Sequence, residues 1–200
     1  MVWLVCQNDI MVDNPTEKDL YTVGTIAKIK VVRKKEGFMR VTFTGMRRAK
    51  LAKLYDNKEL MYADVIPLTD SYGDKSEEYA LVKKVVDKLE GMAQVAAVFP
   101  PEVVQQLSLG VNAETLGDQF GQYFSLFDQA TRQRLLETTN VNDRLLLIVE
   151  ELEKQQRYSE LETVINDRVK DRIDDSQKEY YLREKLKAIK EELGDVSNMT

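Results

Sequence analysis

Two residue types decide what chemistry this 200-residue chain can do: histidine, of which it has none, and cysteine, of which it has one, Cys6. Histidine is the commonest general base near neutral pH and the commonest metal ligand, so its absence closes the usual route to both. Without a histidine neighbour Cys6 has no ordinary base to make it a thiolate, and the expected reading is a buried structural thiol. The nine glycines are scattered singly and no G-x-x-x-x-G-K-[ST] run occurs, so ATP has no recognisable seat here. The acid pairs Asp174-Asp175 and Glu191-Glu192 fall on polar faces of a helical pattern, where solvated charge is the expectation. No catalytic residue, cofactor-binding residue or metal ligand is assigned.

Attraction of a polyanion is the remaining chemistry. From Lys28 to Lys58 the chain places eleven Lys or Arg against two acids, Glu36 and Asp56, although its net charge is −5. Lys28, Lys30 and Arg40 fall opposite apolar strand faces and are the candidate phosphate contacts, whose affinity would fall steeply with salt. A solvated strand face is the competing reading. Aromatic interleaving is thin, with Phe38, Phe43 and Tyr55 only, and Phe43 is expected in the core.

The elements carrying these residues change character along the chain. Residues 1–70 read as β structure: Val2 to Val5, then Thr25 to Val32 with Thr25, Ala27, Ile29 and Val31 on one side, then Phe38 to Thr44 with Met39, Val41 and Phe43 on one face. Lys35, Glu36 and Gly37 suit a hairpin turn. A third segment spans Arg48 to Tyr55, Asp56-Asn57 offers a turn, and Leu60 to Leu68 ends at Pro67. Consecutive hairpins of this kind suggest a small antiparallel barrel or curled sheet. Trp3, the only tryptophan, is expected to pack in the core.

Beyond a polar linker, Thr69 to Ser76, the pattern is helical. Ser76 can cap a helix through Leu89 or further, with Val82, Val85, Val86, Leu89, Met92, Ala93 and Ala96 as its stripe and Gly91 as a weak point. Pro101 suits the first position of a short helix to Leu107, and Asn112 and Asp128 suit caps for helices through Tyr123 and Thr138. No glycine or proline interrupts Gln122 to Leu193, so a long helix is expected from Asn142 to Leu193, stopped by Gly194. Fifty residues of helix is on the order of 75 Å, which implies that it projects. Its early face, Leu145, Ile148, Val149 and Leu152, should be buried. The later residues Leu182, Leu186, Ile189 and Leu193 line one face and are the candidate assembly or coupling surface. The fold class is therefore α+β: an amino-terminal antiparallel β-barrel-like lobe, then an α-helical bundle ending in a long projecting helix.

The longest apolar clusters, Leu145 to Val149 and Val95 to Phe99, are about a quarter of a membrane span, so no membrane partner is expected. One cysteine makes no internal disulfide, which favours a cytoplasmic setting.

Specific words in the chain resemble the Lon proteases. Tyr180-Tyr181-Leu182-Arg183-Glu184, then Lys187-Ala188-Ile189 and Glu191-Glu192-Leu193-Gly194, resemble the segment that leads into the family's ATPase module. Asp19-Leu20-Tyr21-Thr22-Val23-Gly24-Thr25 resembles the strand entry of its amino-terminal domain, and Gly45-Met46-Arg47-Arg48-Ala49 its G-x-x-R-A turn. Leu135-Leu136-Glu137, Val141 and Asp143-Arg144-Leu145 resemble the stretch before the long helix. The family's opening strand, proline-containing loop and helix have no counterpart before Val2, so the β lobe is expected to be incomplete at its start.

The resemblance implies a PUA-like β lobe over 1–70, a helical lobe over 76–141 and, over 142–194, a helix leading toward an AAA+ module. It implies a parent enzyme that is an ATP-dependent serine protease with a serine–lysine dyad, using ATP and Mg, assembled as a homohexamer and degrading misfolded and regulatory proteins. This region would be its non-catalytic part, binding unfolded or misfolded protein substrates and supporting self-association. A free-standing protein-binding adaptor of the same fold, and nucleic-acid binding through the basic 28–58 strands, remain as alternatives.

Overall fold

The structure is a computed structural model that describes residues 1–56, 61–92, 99–124 and 126–196, without the side chains of 56, 108 and 193–196. It divides into two compact units, Met1–Leu152 and Glu153–Thr200. Among the described residues the architecture is α+β, an antiparallel four-stranded sheet followed by five α-helices, of which the last is long.

The sheet is a meander in the order β1 (Val2–Leu4), β2 (Val23–Lys35), β3 (Phe38–Asp56) and β4 (Met61–Pro67). β2 and β3 form the expected hairpin, turning at Glu36 and Gly37, and Pro67 ends β4 as expected. β3 departs from expectation because it is one strand. Gly45 to Ala49 lies inside it rather than in a turn, and a register irregularity places Ile26 opposite Arg47 and Ala27 opposite Gly45, leaving Met46 over. One extra residue bends a strand without ending it. A second irregularity pairs Ile29 with Phe43 and Val31 with Thr42 around Lys30, so Val31 leaves the face it was expected to share with Ile29.

The expected turn residue Asn57, together with Lys58 and Leu60, lies outside the described residues. β1 is held by Trp3, which is partly buried across Gly24 and donates from Nε1 to the Ala49 carbonyl at 3.3 Å. A Cβ at Gly24 would come within 2.8 Å of that Nε1, so glycine is what lets β1 and β2 close.

The helices are α1 (Lys75–Glu90), α2 (Pro101–Leu109), α3 (Ala113–Tyr123), α4 (Gln129–Glu137) and α5 (Val141–Val196). Asp74, not Ser76, caps α1: its carboxylate accepts from the amides of Ser76 and Glu77 at 2.9 and 3.0 Å. α1 ends before Gly91, and the stripe residues Ala93 and Ala96 lie outside the described residues. Pro101 opens α2, and Asn112 and Asp128 cap α3 and α4 through their side chains, as expected. α5 runs unbroken to Val196, two residues beyond the expected stop at Gly194.

The apolar core of the first unit joins Val85 and Leu89, Val103 and Leu107, Leu116 and Phe120, and the expected α5 face Leu145, Ile148, Val149 and Leu152. Phe99, Phe120, Phe124 and Phe127 form an aromatic knot, with centroids of Phe124 and Phe127 4.6 Å apart. Fully burying each such side chain contributes roughly 1.5–3 kcal/mol, which is what holds these short helices together. No described helix is long and apolar enough to cross a membrane.

Candidate functional site

Two quoted motifs meet at the seam between the sheet and the helices. Arg48, on β3, donates from Nε to the Leu136 carbonyl at 3.1 Å and pairs with Asp70 at 3.4 Å and with Asp118. Arg144, in the first turns of α5, donates from Nε to the Thr138 carbonyl at 3.0 Å and pairs with Asp70 at 2.8 Å and Asp118 at 3.4 Å. Its side chain is 0% exposed. A guanidinium so placed must be neutralised and hydrogen-bonded, and two shared carboxylates and a carbonyl do both. α3 can approach it because residue 117 is glycine: a Cβ there would stand 2.8 Å from the Arg144 Cδ. Gln133 adds another tie, donating to the Val23 carbonyl at 2.9 Å and to Glu137 at 2.8 Å.

Arg48, Asp118, Gln133 and Leu136 of this seam line a cleft of about 830 Å³, within the range that holds small ligands or peptide side chains. β3 contributes Met46, Arg47 and Arg48, while α3 and α4 contribute Asp118, Arg132 and Gln133. The wall mixes apolar and cationic groups, and Arg47 makes no ion pair among the described residues. Cys6 lies at this cleft and is exposed, against the expectation of a buried thiol. β1 stops at Leu4, and the chain then runs beside Leu20 and Tyr21, with the Cys6 carbonyl taken by the Tyr21 amide at 3.0 Å and the Cys6 side chain left exposed.

The second open surface is the outer part of the β2–β3 hairpin. Ile29, Val31, Val32, Phe38, Met39 and Phe43 are all exposed there, so Phe43 is not the core residue expected. Lys28, Lys30 and Arg40 are exposed on the same hairpin. Arg40 sits opposite Arg33 and Lys28 opposite Thr44, which puts Lys28 and Arg40 on one face of the hairpin, while Lys30 occupies the irregularity. Apolar and basic side chains are interleaved.

In the second unit, Leu182, Leu186 and Ile189 are exposed, as are Leu161, Ile165, Val169 and Ile173. The side chain of Leu193 lies outside the described residues. Among the described residues no group of acids and Cys6 could hold a metal ion.

The arrangement offers apolar surface, a mixed cleft and fixed positive charge, and among the described residues no reacting group is placed against another. That is the equipment of a binding surface, and the comparisons agree. The chain is 33% identical to the Lon protease of Escherichia coli strain K12 over 198 residues, covering 98% of this chain and 25% of that protein. It is 35% identical to the Lon protease of Syntrophomonas wolfei, covering 97% and 24%, and 30% identical to Lon protease 1 of Bacillus subtilis strain 168, covering 100% and 26%. It thus spans about a quarter of the length of these relatives. The fold is shared with the N-terminal domain of the Mycobacterium avium complex Lon protease, at a TM-score of 0.58 and 23% identity over 70% of this chain and 74% of that one. Residues 1–154 match the model of the ATP-dependent protease La (LON) substrate-binding domain, and with more than half the chain matched, it belongs to that family.

Proposed function

We propose that the chain is the substrate-recognition and assembly region of an ATP-dependent serine protease of the Lon type. In this reading 1–70 is a recognition lobe, 76–141 a helical lobe and 142–194 a coupling helix. ATP, Mg, the serine–lysine dyad and the AAA+ motor belong to other parts of the parent protein, a cytoplasmic homohexamer that degrades misfolded and regulatory proteins. The observation that carries the recognition role is the run of exposed apolar side chains from Ile29 to Phe43, in a unit whose helices bury an apolar core. Large apolar surface left open on a folded domain marks a binding site. An unfolded chain offers matching apolar segments, and several weak sites in one assembly give useful avidity.

Fluorescence anisotropy with one labelled protein, offered folded and then permanently unfolded, tests the recognition role. Saturable binding of the unfolded form alone is expected, and equal binding of both forms overturns the reading. The assembly role rests on Leu182, Leu186 and Ile189, three exposed apolar residues on one helix. Sedimentation velocity across concentration should show reversible self-association that Leu186→Asp with Ile189→Asp weakens, leaving Trp3 emission unchanged. A strictly monomeric wild-type chain would instead favour a free-standing adaptor.

A further inference from the structure

We propose that Asp70 to Asp74 form a locking strap, which fixes the sheet and the helices of the first unit at one angle and leaves no hinge between them. The inference goes beyond the recognition role and stands or falls independently of it.

An exposed polar segment joining two lobes is by default a place of relative motion. Ser71 to Asp74 are exposed, and Asp70 is partly so. Yet each of the five has a fixed partner. Asp70 pairs with Arg48 of β3 at 3.4 Å and with Arg144 of α5 at 2.8 Å. The Ser71 amide donates to the Thr139 carbonyl at 3.0 Å, and its carbonyl accepts from the Val141 amide at 2.9 Å, which makes a parallel bridge to Asn140. The Tyr72 hydroxyl donates to Glu114 of α3, and that bond holds its ionisation above the ordinary value. The Asp74 carbonyl accepts from Asn142 Nδ2 at 3.0 Å, while its carboxylate caps α1.

Gly73 shows how closely the strap is pressed down. A Cβ at this position would stand 2.6 Å from Asn142 Nδ2. Asn142 has little room to move aside, because it is 3% exposed and also donates to Glu77 at 2.9 Å. At the other end the Leu68 amide donates to the Arg48 carbonyl at 2.9 Å, so the strap leaves directly from β3. Its partners thus lie on β3, α1, α3 and the first turns of α5.

A hinge needs a few residues free to change φ and ψ. Ser71 cannot turn without breaking two backbone hydrogen bonds. Asp70 cannot leave without taking a carboxylate from Arg144, whose side chain is 0% exposed, and stripping a partner from a buried charge is costly. Mobile segments are marked by few fixed bonds, and this one has many. Its exposure therefore reports where it lies and not how it moves. The sheet is carried by the first turns of α5 and does not swing to take up a ligand.

Residual dipolar couplings and amide relaxation of the isotopically labelled whole chain test the strap. Couplings from the sheet and from α1, α3 and α4 should fit one alignment tensor, with order parameters of about 0.85 across residues 70–74. Two separate tensors, or order parameters below about 0.6 in that segment, would overturn the proposal. Asp70→Asn with Asn142→Ala should speed hydrogen exchange at the Ser71 amide about tenfold or more relative to that of Ile148 in the core. An unchanged ratio would show that these contacts do not hold the strap. Should that pair fail to fold, Asn142→Ala alone, which keeps every ion pair, should still raise the ratio about threefold, and no rise would count against the strap. None of these outcomes bears on whether unfolded protein binds, which the anisotropy experiment decides.

Discussion

Replacing Arg144 with methionine should be the most damaging single change that leaves the apolar core intact. Methionine keeps the aliphatic stem but removes three polar contacts: to Asp70 at 2.8 Å, to Asp118 at 3.4 Å and to the Thr138 carbonyl at 3.0 Å. Breaking a buried ion pair on one side costs about 3–5 kcal/mol, because the partner is left uncompensated. The lower end applies here, since Arg48 still reaches both carboxylates and Asp118 is half exposed, so we expect about 3 kcal/mol. For a unit of this size that is a fall in Tm of roughly 6–12 °C. Urea denaturation followed by the emission of Trp3, the only tryptophan, reads the first unit selectively. Adding Asp70→Asn to make a double-mutant cycle should show a coupling above about 1 kcal/mol. Stability within about 0.5 kcal/mol of wild type for Arg144→Met would refute the claim that this residue ties the strands to the helices.

Other expectations concern smaller sites. Gly24→Ala should force Trp3 off the Ala49 carbonyl, lowering stability by about 1–3 kcal/mol and shifting Trp3 emission to the red; an unshifted spectrum at wild-type stability counts against the close approach. Asp74→Ala should cost about 1 kcal/mol by urea denaturation through loss of the α1 cap, and Asp74→Ser much less. The Thr16 amide and then the Thr16 hydroxyl, both donating to Asp19, hold its carboxyl below its ordinary value of 3.8. A group lowered on folding stabilises above its unfolded pKa and loses that contribution as pH falls through the folded value. The Thr16 amide signal should therefore titrate with a midpoint below 3.8, and a midpoint at or above 3.8 by NMR titration would contradict the contact.

Local physics made much of the helical part legible. Asn112 and Asp128 precede apolar periodic runs and accept amides at the positions a cap requires, and Leu145, Ile148, Val149 and Leu152 bury the face that their spacing selects. Asp74 took the cap from Ser76 because both types can serve and only the entering loop decides between them. Strand register was less legible. The irregularities at Met46 and Lys30 leave composition unchanged while moving residues across faces, so alternation alone misplaces Val31, whereas Phe43 keeps its face with Met39 and Val41 and that position is exposed. Cys6 was misread because burial depends on what lies over a residue, which its own neighbours in sequence do not encode. Asp70 and Asp118 went unnoticed because their role exists only once Arg48 and Arg144 converge. A signal was present: Arg144 stands on the same helical stripe as Val141 and Ile148, where an unpaired charge could not remain.

The most direct measurement is an NMR titration of the isotopically labelled chain with a permanently unfolded protein. The account predicts amide shifts concentrated at Lys28 to Thr44 and at the cleft residues Met46, Arg47 and Arg132, with α5 beyond Leu152 unmoved. Shifts confined to α5, or none at concentrations where anisotropy reports binding, would contradict it.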